Sequence, residues 1–272
     1  CARDYLSWRN ELPPGLDHVG GLAVRRFPVR RERDPEEFGR RSLKVFGHPH
    51  SVRDELRWLD SEGPASTDLV AYIRTHHTAY DYFIFFTYRY HHSFHGIRNV
   101  NSRAILVPTA ERDPAIGLSI FGPIFRGARA IMYNSLEEQA MITSVTGNVG
   151  VPGVVVGVGS EVPARSEPQR FRQKFGLTSR FAIYVGRVDE NKGCQEMFDF
   201  FGRYASRQPH GLDLVLVGRS IMAVPRSRRV HHLGFLSDED KFDAIAAADL
   251  LIMPSYYESL SMVSLEAWSL GR

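Results

Sequence analysis

Short apolar runs recur along this chain, separated by segments of helical character, and that alternation limits the fold more than any other feature. Tyr82 to Thr87 (YFIFFT) is a continuous apolar run with turn-forming neighbours, and Ala104 to Val107, Ala130 to Tyr133 and Gly153 to Val158 follow. Runs without polar alternation predict strands buried on both faces. Asp54 to Leu59 and Thr67 to His76 have helical character, interrupted by Gly63-Pro64. Ser135 to Ser144 reads as a helix opened by a capping box of Ser135 and Glu138. Residues 22–31 read as a short strand running into a basic loop. Buried strands alternating with helices predict parallel βαβ units and a doubly wound sheet.

Residues 159–180 break the rhythm with Pro163, Pro168 and several charges, leaving one short helical piece, Gln169 to Phe175. The alternation then restarts. Strands are predicted at Phe181–Val185, Leu212–Val217, Val230–Leu233 and Leu250–Met253. Helices are predicted at Gln195–Tyr204, Asp238–Ala247 (capped by Ser237, with Asp240 three residues on) and Leu260–Leu270. The division that follows is an N-terminal Rossmann-like domain over 1–160, a linker over 161–180 and a C-terminal Rossmann-like domain over 181–272. Such halves bind ligands at the carboxyl ends of their strands, here in a cleft between the two.

Composition narrows the class. Of 272 residues 43% are hydrophobic and 24% charged, which suits a folded chain rather than a disordered one. A net charge of +3 gives no argument for a nucleic-acid partner. Two cysteines, Cys1 and Cys194, fit neither a disulfide framework nor a metal spacing and suit a reducing compartment. No apolar run reaches the ~20 residues a membrane helix needs. The chain starts at Cys1 and stops at Gly271-Arg272, so it reads as incomplete at both ends, with a first strand lost.

Three loops at predicted strand ends carry the groups suited to chemistry. In Gly186 to Gly193 (GRVDENKG), Gly186 lets backbone approach a ligand, Arg187 offers a planar fork and Lys192 a point charge. That pair suits a diphosphate, and Gly193 leads into a helix whose N-terminus favours anions. Two solvated cations paired with Asp189 and Glu190 are the bland alternative, slightly favoured on spacing alone. In Leu233 to Leu236, Phe235 and Leu236 suit a slot for a flat base, although a buried structural Phe is commoner. In Pro254 to Ser261, Glu258 precedes a helix and Glu266 lies about two turns inside it. The amides near Ser259, Leu260 and Ser261 suit a phosphate. A carboxylate can accept paired hydrogen bonds from vicinal hydroxyls, but two glutamates alone do not outweigh a helix-dipole role.

Taken in order, Gly186-Arg187-x4-Lys192-Gly193, Gly234-Phe235 and Glu258-x7-Glu266 resemble family 4 of the retaining glycosyltransferases. The stretch MPSYYESLSMVSLEAWSLGR is similar to that family's donor-site segment. Motif-grade similarity covers roughly the last third of the chain. The resemblance implies an α/β GT-B fold, two Rossmann-like domains with parallel sheets facing across a cleft. It implies transfer of a sugar from a UDP-, GDP- or similar sugar to a glycan, lipid-linked or small-molecule acceptor, with retention. Arg187 and Lys192 would neutralise the diphosphate and Glu258 would hold hydroxyls of the transferred sugar. Glu266 would hold the ribose, the amides of Ser259 to Ser261 a phosphate or the sugar, and Phe235 and Leu236 would flank the base. Two cations and a helix end stabilise a leaving group electrostatically, so no metal and no cofactor are expected. Related sequences carry histidine after Pro-Thr-Ala on the acceptor side; here Pro108-Thr109-Ala110 is followed by Glu111. That substitution motivates an alternative, a catalytically weak nucleotide-sugar-binding or regulatory subunit. An NAD-dependent enzyme is weaker, since no GxGxxG follows any predicted strand.

The remaining conspicuous residues take bland readings. His91 and His95 lie one helical turn apart, with His76, His77 and His92 nearby, but no carboxylate or cysteine falls at matching spacing. Arginines 25, 26, 30, 31, 33, 40 and 41 suit anionic headgroups, so peripheral contact at the membrane inner face accompanies the expected cytoplasmic location. Interleaved Glu32, Asp34, Glu36 and Glu37 favour a solvated charged segment instead.

Overall fold

The computed structural model describes residues 7–272, and these form two compact units that divide between Gly157 and Val158. Cys1 lies outside the described residues.

The first unit opens with an antiparallel hairpin, β1 (Gly15–Val19) and β2 (Leu22–Arg26). Gly20 and Gly21 turn it with φ of 58° and 80°, a two-residue turn that needs positive φ at both positions. Most charged side chains of the basic stretch beyond are exposed, as expected of a solvated segment, but the stretch is folded. Asp34 caps α1 (Pro35–Gly47) by accepting from the amides of Glu36 and Glu37. Arg41 pairs with Glu37 at 2.6 Å, one turn earlier, and the largely buried Arg33 pairs with Glu62 at 3.0 Å. The interleaved acids thus partner the arginines within folded structure.

Helices α2 (Val52–Glu62) and α3 (Thr67–Thr75) precede a parallel sheet. Its strands are β3 (Phe83–Phe86), β4 (Ala104–Val107), β5 (Ala130–Tyr133) and β6 (Gly153–Val155), in that spatial order. Helices α4 (His91–Val100), α5 (Gly122–Gly127) and α6 (Leu136–Thr146) connect them. Trp58, Phe94, Ile97, Leu106, Phe121, Phe125 and Ile131 form the core. Two expectations are corrected here. Strand β3 is not buried on both faces: it lies at the edge of the sheet beside β4, and among the described residues nothing covers the face that carries Ile84 and Phe86, which are exposed. Nor is the capping box reciprocal. Ser135 accepts from the Glu138 amide, but the Glu138 carboxylate receives the amides of Ala110 (2.5 Å) and Asn134 (2.6 Å). Burial raises the pKa of Glu138, and those two amides oppose the rise.

The second unit begins at Val158, ahead of the stretch 161–180 expected as a linker, and takes that stretch in. Helix α7 (Pro168–Phe175) occupies it, and Phe171 is fully buried in this unit's core. There follow β7 (Phe181–Val185), α8 (Cys194–Arg207), β8 (Asp213–Val217), β9 (Val230–Gly234), α9 (Asp238–Ala247), β10 (Leu250–Leu251) and α10 (Met262–Ser269). The sheet is parallel, ordered β10-β7-β8-β9. Side chains alternate across it with the strand period of two. Phe181, Ile183, Val185, Val215 and Val217 pack with Phe171, Ala244, Ile245 and Ala267. Tyr184, Leu214 and Leu216 pack on the other side with Cys194, Met197, Phe198 and Phe201 of α8. Helices therefore cover both faces, which is why β7 is apolar at every position.

Candidate functional site

In the order β10-β7-β8-β9 the chain direction of assembly reverses between β7 and β10. Successive connections leave β7 toward β8 on one side and return to β10 on the other, a switch point of the kind at whose carboxyl ends doubly wound sheets bind ligands. The loop after β7 and the loop after β10 border it, and both belong to the same unit.

These two loops meet closely. Gly193 has φ of 69°, and a Cβ built there would lie 2.1 Å from the Pro254 carbonyl oxygen. Only glycine satisfies both the backbone angle and the contact. Gly218, after β8, is similarly confined, with φ of 131° and a Cβ position 2.0 Å from the Gly186 carbonyl oxygen. The Tyr184 hydroxyl donates to the Arg187 carbonyl at 2.7 Å, and the amide of Val188 donates to Arg219 at 2.9 Å. The sequence thus uses glycine and a buried tyrosine to seat the β7 loop against its neighbours.

The charged groups are paired. Arg187 pairs with the buried Asp189, whose other oxygen accepts from the Lys192 amide at 2.9 Å. Lys192 Nζ lies 2.8 Å from Glu258 Oε1, joining the two loops across the crevice. The bland pairing is therefore found for Arg187 with Asp189, but Lys192 pairs with Glu258 and not Glu190. Glu266 is 5% exposed. Its Oε1 accepts from Ser160 at 2.8 Å and Lys241 at 3.0 Å, while its buried Oε2 has no hydrogen-bond partner. A buried carboxylate oxygen left in that state is costly and suits a donor from outside the chain.

Phe235 follows β9 and is 89% exposed, so the commoner reading of a buried structural Phe is corrected; Leu236 instead packs against the core. Helix α10 starts at Met262, two residues later than expected, with Ser261 as its cap. Ser261 Oγ accepts the Ser264 amide at 3.2 Å, so Ser259 and Leu260 lie in the preceding loop. Glu111 is in the first unit, half-buried in the loop after β4. Sequence reasoning did not assign Ser160 and Lys241. Nothing in their spacing marks them, because Glu266 is reached from 106 and 25 residues away. Asp189 was legible only as a loop anion; its position three residues before Lys192 is that of a cap for the short turn Glu190–Lys192.

Comparison with known proteins adds three findings. Residues 165–272 match the family model described as glycosyl transferases group 1. The mannosylfructose-phosphate synthase of Agrobacterium fabrum is 29% identical over 119 residues, covering 38% of this chain and 26% of that protein. The chain thus spans about a quarter of that curated relative. Among solved structures, sucrose-phosphate synthase from Thermosynechococcus elongatus has a TM-score of 0.65 at 16% identity, covering 96% of this chain and 67% of that one. A UDP-forming α,α-trehalose-phosphate synthase from Burkholderia xenovorans, solved with glucose-6-phosphate, has a TM-score of 0.68 at 9% identity, covering 94% and 71%. The fold is α/β with parallel sheets, of the GT-B glycosyltransferase type. No helix among the described residues is long and apolar enough to cross a membrane.

Proposed function

We propose that this chain carries the donor site of a sugar-nucleotide-dependent glycosyltransferase. The observation that carries the reading is the crevice between β7 and β10, where Lys192 and Glu258 face each other beside Arg187, inside the segment matched by the group 1 family model. In this reading a UDP- or GDP-type sugar lays its diphosphate against Arg187 and Lys192. The exposed Lys192–Glu258 pair is worth about 0–1 kcal/mol and exchanges readily for a phosphate. Glu258 is then released to accept from hydroxyls of the transferred sugar. Ribose hydroxyls donate to Glu266 Oε2, which has no hydrogen-bond partner among the described residues. The exposed ring of Phe235 flanks the base, with Leu236 and the Gly186 backbone completing the lining. The loop of Ser259 and Leu260 and the start of α10 at Ser261 supply backbone donors to phosphate or sugar.

As the glycosidic bond breaks, negative charge grows on the diphosphate, and two fixed cations stabilise it without a metal or other cofactor. Retention of configuration is part of the proposal, as is a carbohydrate acceptor. The relatives whose names include sugar-phosphate synthases make a phosphorylated sugar the first acceptor to try. Glu111 is the first unit's candidate on the acceptor side. Its presence where histidine was expected favours a second reading, donor binding with weak turnover.

A thermal-shift screen with EDTA against UDP-, GDP- and ADP-sugars tests binding, since a ligand of the native state raises its melting temperature. A rise with one nucleotide sugar is expected, and no rise with any overturns the proposal. Nucleotide release on adding sugar phosphates then separates turnover from binding alone.

A further inference from the structure

We propose that Asp60, His91 and His95 form a binding site for a divalent transition-metal ion on the first unit. Their ligand atoms lie within 4.8 Å of one another. None belongs to the donor site, so the proposal stands independently of it.

The fold assembles the cluster from two helices. His91 is the first residue of α4 and His95 lies one turn later, on the same helix face. Asp60 comes from the last turn of α2, bringing its Oδ1 to 3.8 Å from His91 Nε2. Sequence spacing did not reveal the carboxylate because it arrives through packing of α2 on α4 and not from the neighbouring chain. The imidazole rings stand 4.3 Å apart between centroids.

Two features point to a ligand rather than to an ordinary polar contact. His91 is buried, and its Nδ1 has no hydrogen-bond partner. Its Nε2 lies 3.8 Å from Asp60 Oδ1, too far for a hydrogen bond.

Two imidazoles and one carboxylate suit Zn²⁺, Co²⁺ or Ni²⁺ better than Mg²⁺ or Ca²⁺, which prefer oxygen throughout. Metal–ligand bonds of about 2.0–2.1 Å put tetrahedral ligands about 3.3 Å apart. The present spacing is wider, and the exposed Asp60 side chain can close it by rotating about its own bonds. Three protein ligands leave a fourth position for water.

The test is titration of the whole chain with Co²⁺, read by its visible absorption, followed by displacement with Zn²⁺. Stoichiometric binding with nitrogen and oxygen ligands is expected, lost in His95→Gln and weakened in Asp60→Asn. His76→Gln/His77→Gln, altering exposed histidines whose rings bond backbone carbonyls, should leave binding unchanged. Metal-free melting curves of His95→Gln and Asp60→Asn establish that the variants fold, and Asp60 is exposed enough to keep that comparison open if His95→Gln does not. No visible bands in the wild-type chain, equal binding in a folded His95→Gln or Asp60→Asn, or loss of binding only in the His76/His77 variant would overturn the proposal.

Discussion

Strands β3 and β7 have nearly the same composition and opposite surroundings. The FIFF of β3 pairs with one neighbour and exposes Ile84 and Phe86, whereas the FAIYV of β7 lies between β10 and β8 and is buried at all five positions. An apolar run therefore reports that a strand is sheet-forming, and its position in the sheet decides how much of it water reaches. The difference extends to function. The central β7 has the switch point at its carboxyl end, where connections diverge, while β3 lies at the edge of a sheet ordered β3-β4-β5-β6.

The comparison breaks first if burial does not govern stability. Phe181→Ala in β7 and Phe85→Ala in β3 remove buried rings and should each cost about 3–5 kcal/mol in urea unfolding, whereas Phe86→Ala, next in sequence to Phe85 but 62% exposed, should cost far less. Equal losses for Phe85→Ala and Phe86→Ala would show that β3 is covered in solution. Gly193→Ala comes next. Left-handed backbone costs an alanine about 1–2 kcal/mol, and the collision with Pro254 adds about 1–3 kcal/mol. Its melting temperature should fall and its nucleotide affinity with it; a wild-type melt would mean that the β7 and β10 loops do not touch. Glu266→Gln preserves shape but removes the charge facing Lys241, and in the proposed site it removes a ribose acceptor. A loss of about 1.5–3 kcal/mol of nucleotide binding, typical of a hydrogen bond to a charged group, is expected by calorimetry. The smallest effect is a gain. Gly202 lies in α8, where an added Cβ meets nothing within 4 Å, so Gly202→Ala should stabilise by about 1 kcal/mol.

Much of the architecture was readable in the sequence because it rests on local pattern. Strands β4, β5 and β7 coincide with their predicted apolar runs, and α9 begins and ends where Ser237 and the strand after it require. What sequence could not give depends on distant neighbours. Helix α1 carries a local start signal in Asp34 and Pro35, but nothing local shows that Glu62 meets Arg33. The exposure of β3 depends on which elements cover its faces, and no residue in it encodes that. In the site, the motif glycines and cations were legible, but the contact of Gly193 with Pro254 and the Ser160 and Lys241 bonds to Glu266 are products of the assembled sheet. The Asp60–His91–His95 cluster escaped for the same reason.

The central claim is that the β7–β10 crevice holds the diphosphate of a nucleotide sugar. Isothermal titration of the chain with UDP and GDP in EDTA tests it most directly, comparing wild type with Lys192→Ala and Arg187→Lys. Lys192→Ala removes only a partly exposed ion pair, so the fold should survive. Arg187→Lys keeps a charge beside buried Asp189 but loses the planar fork. The account predicts nucleotide binding that is abolished by the first change and weakened by the second. Unchanged affinity in both folded variants would contradict it.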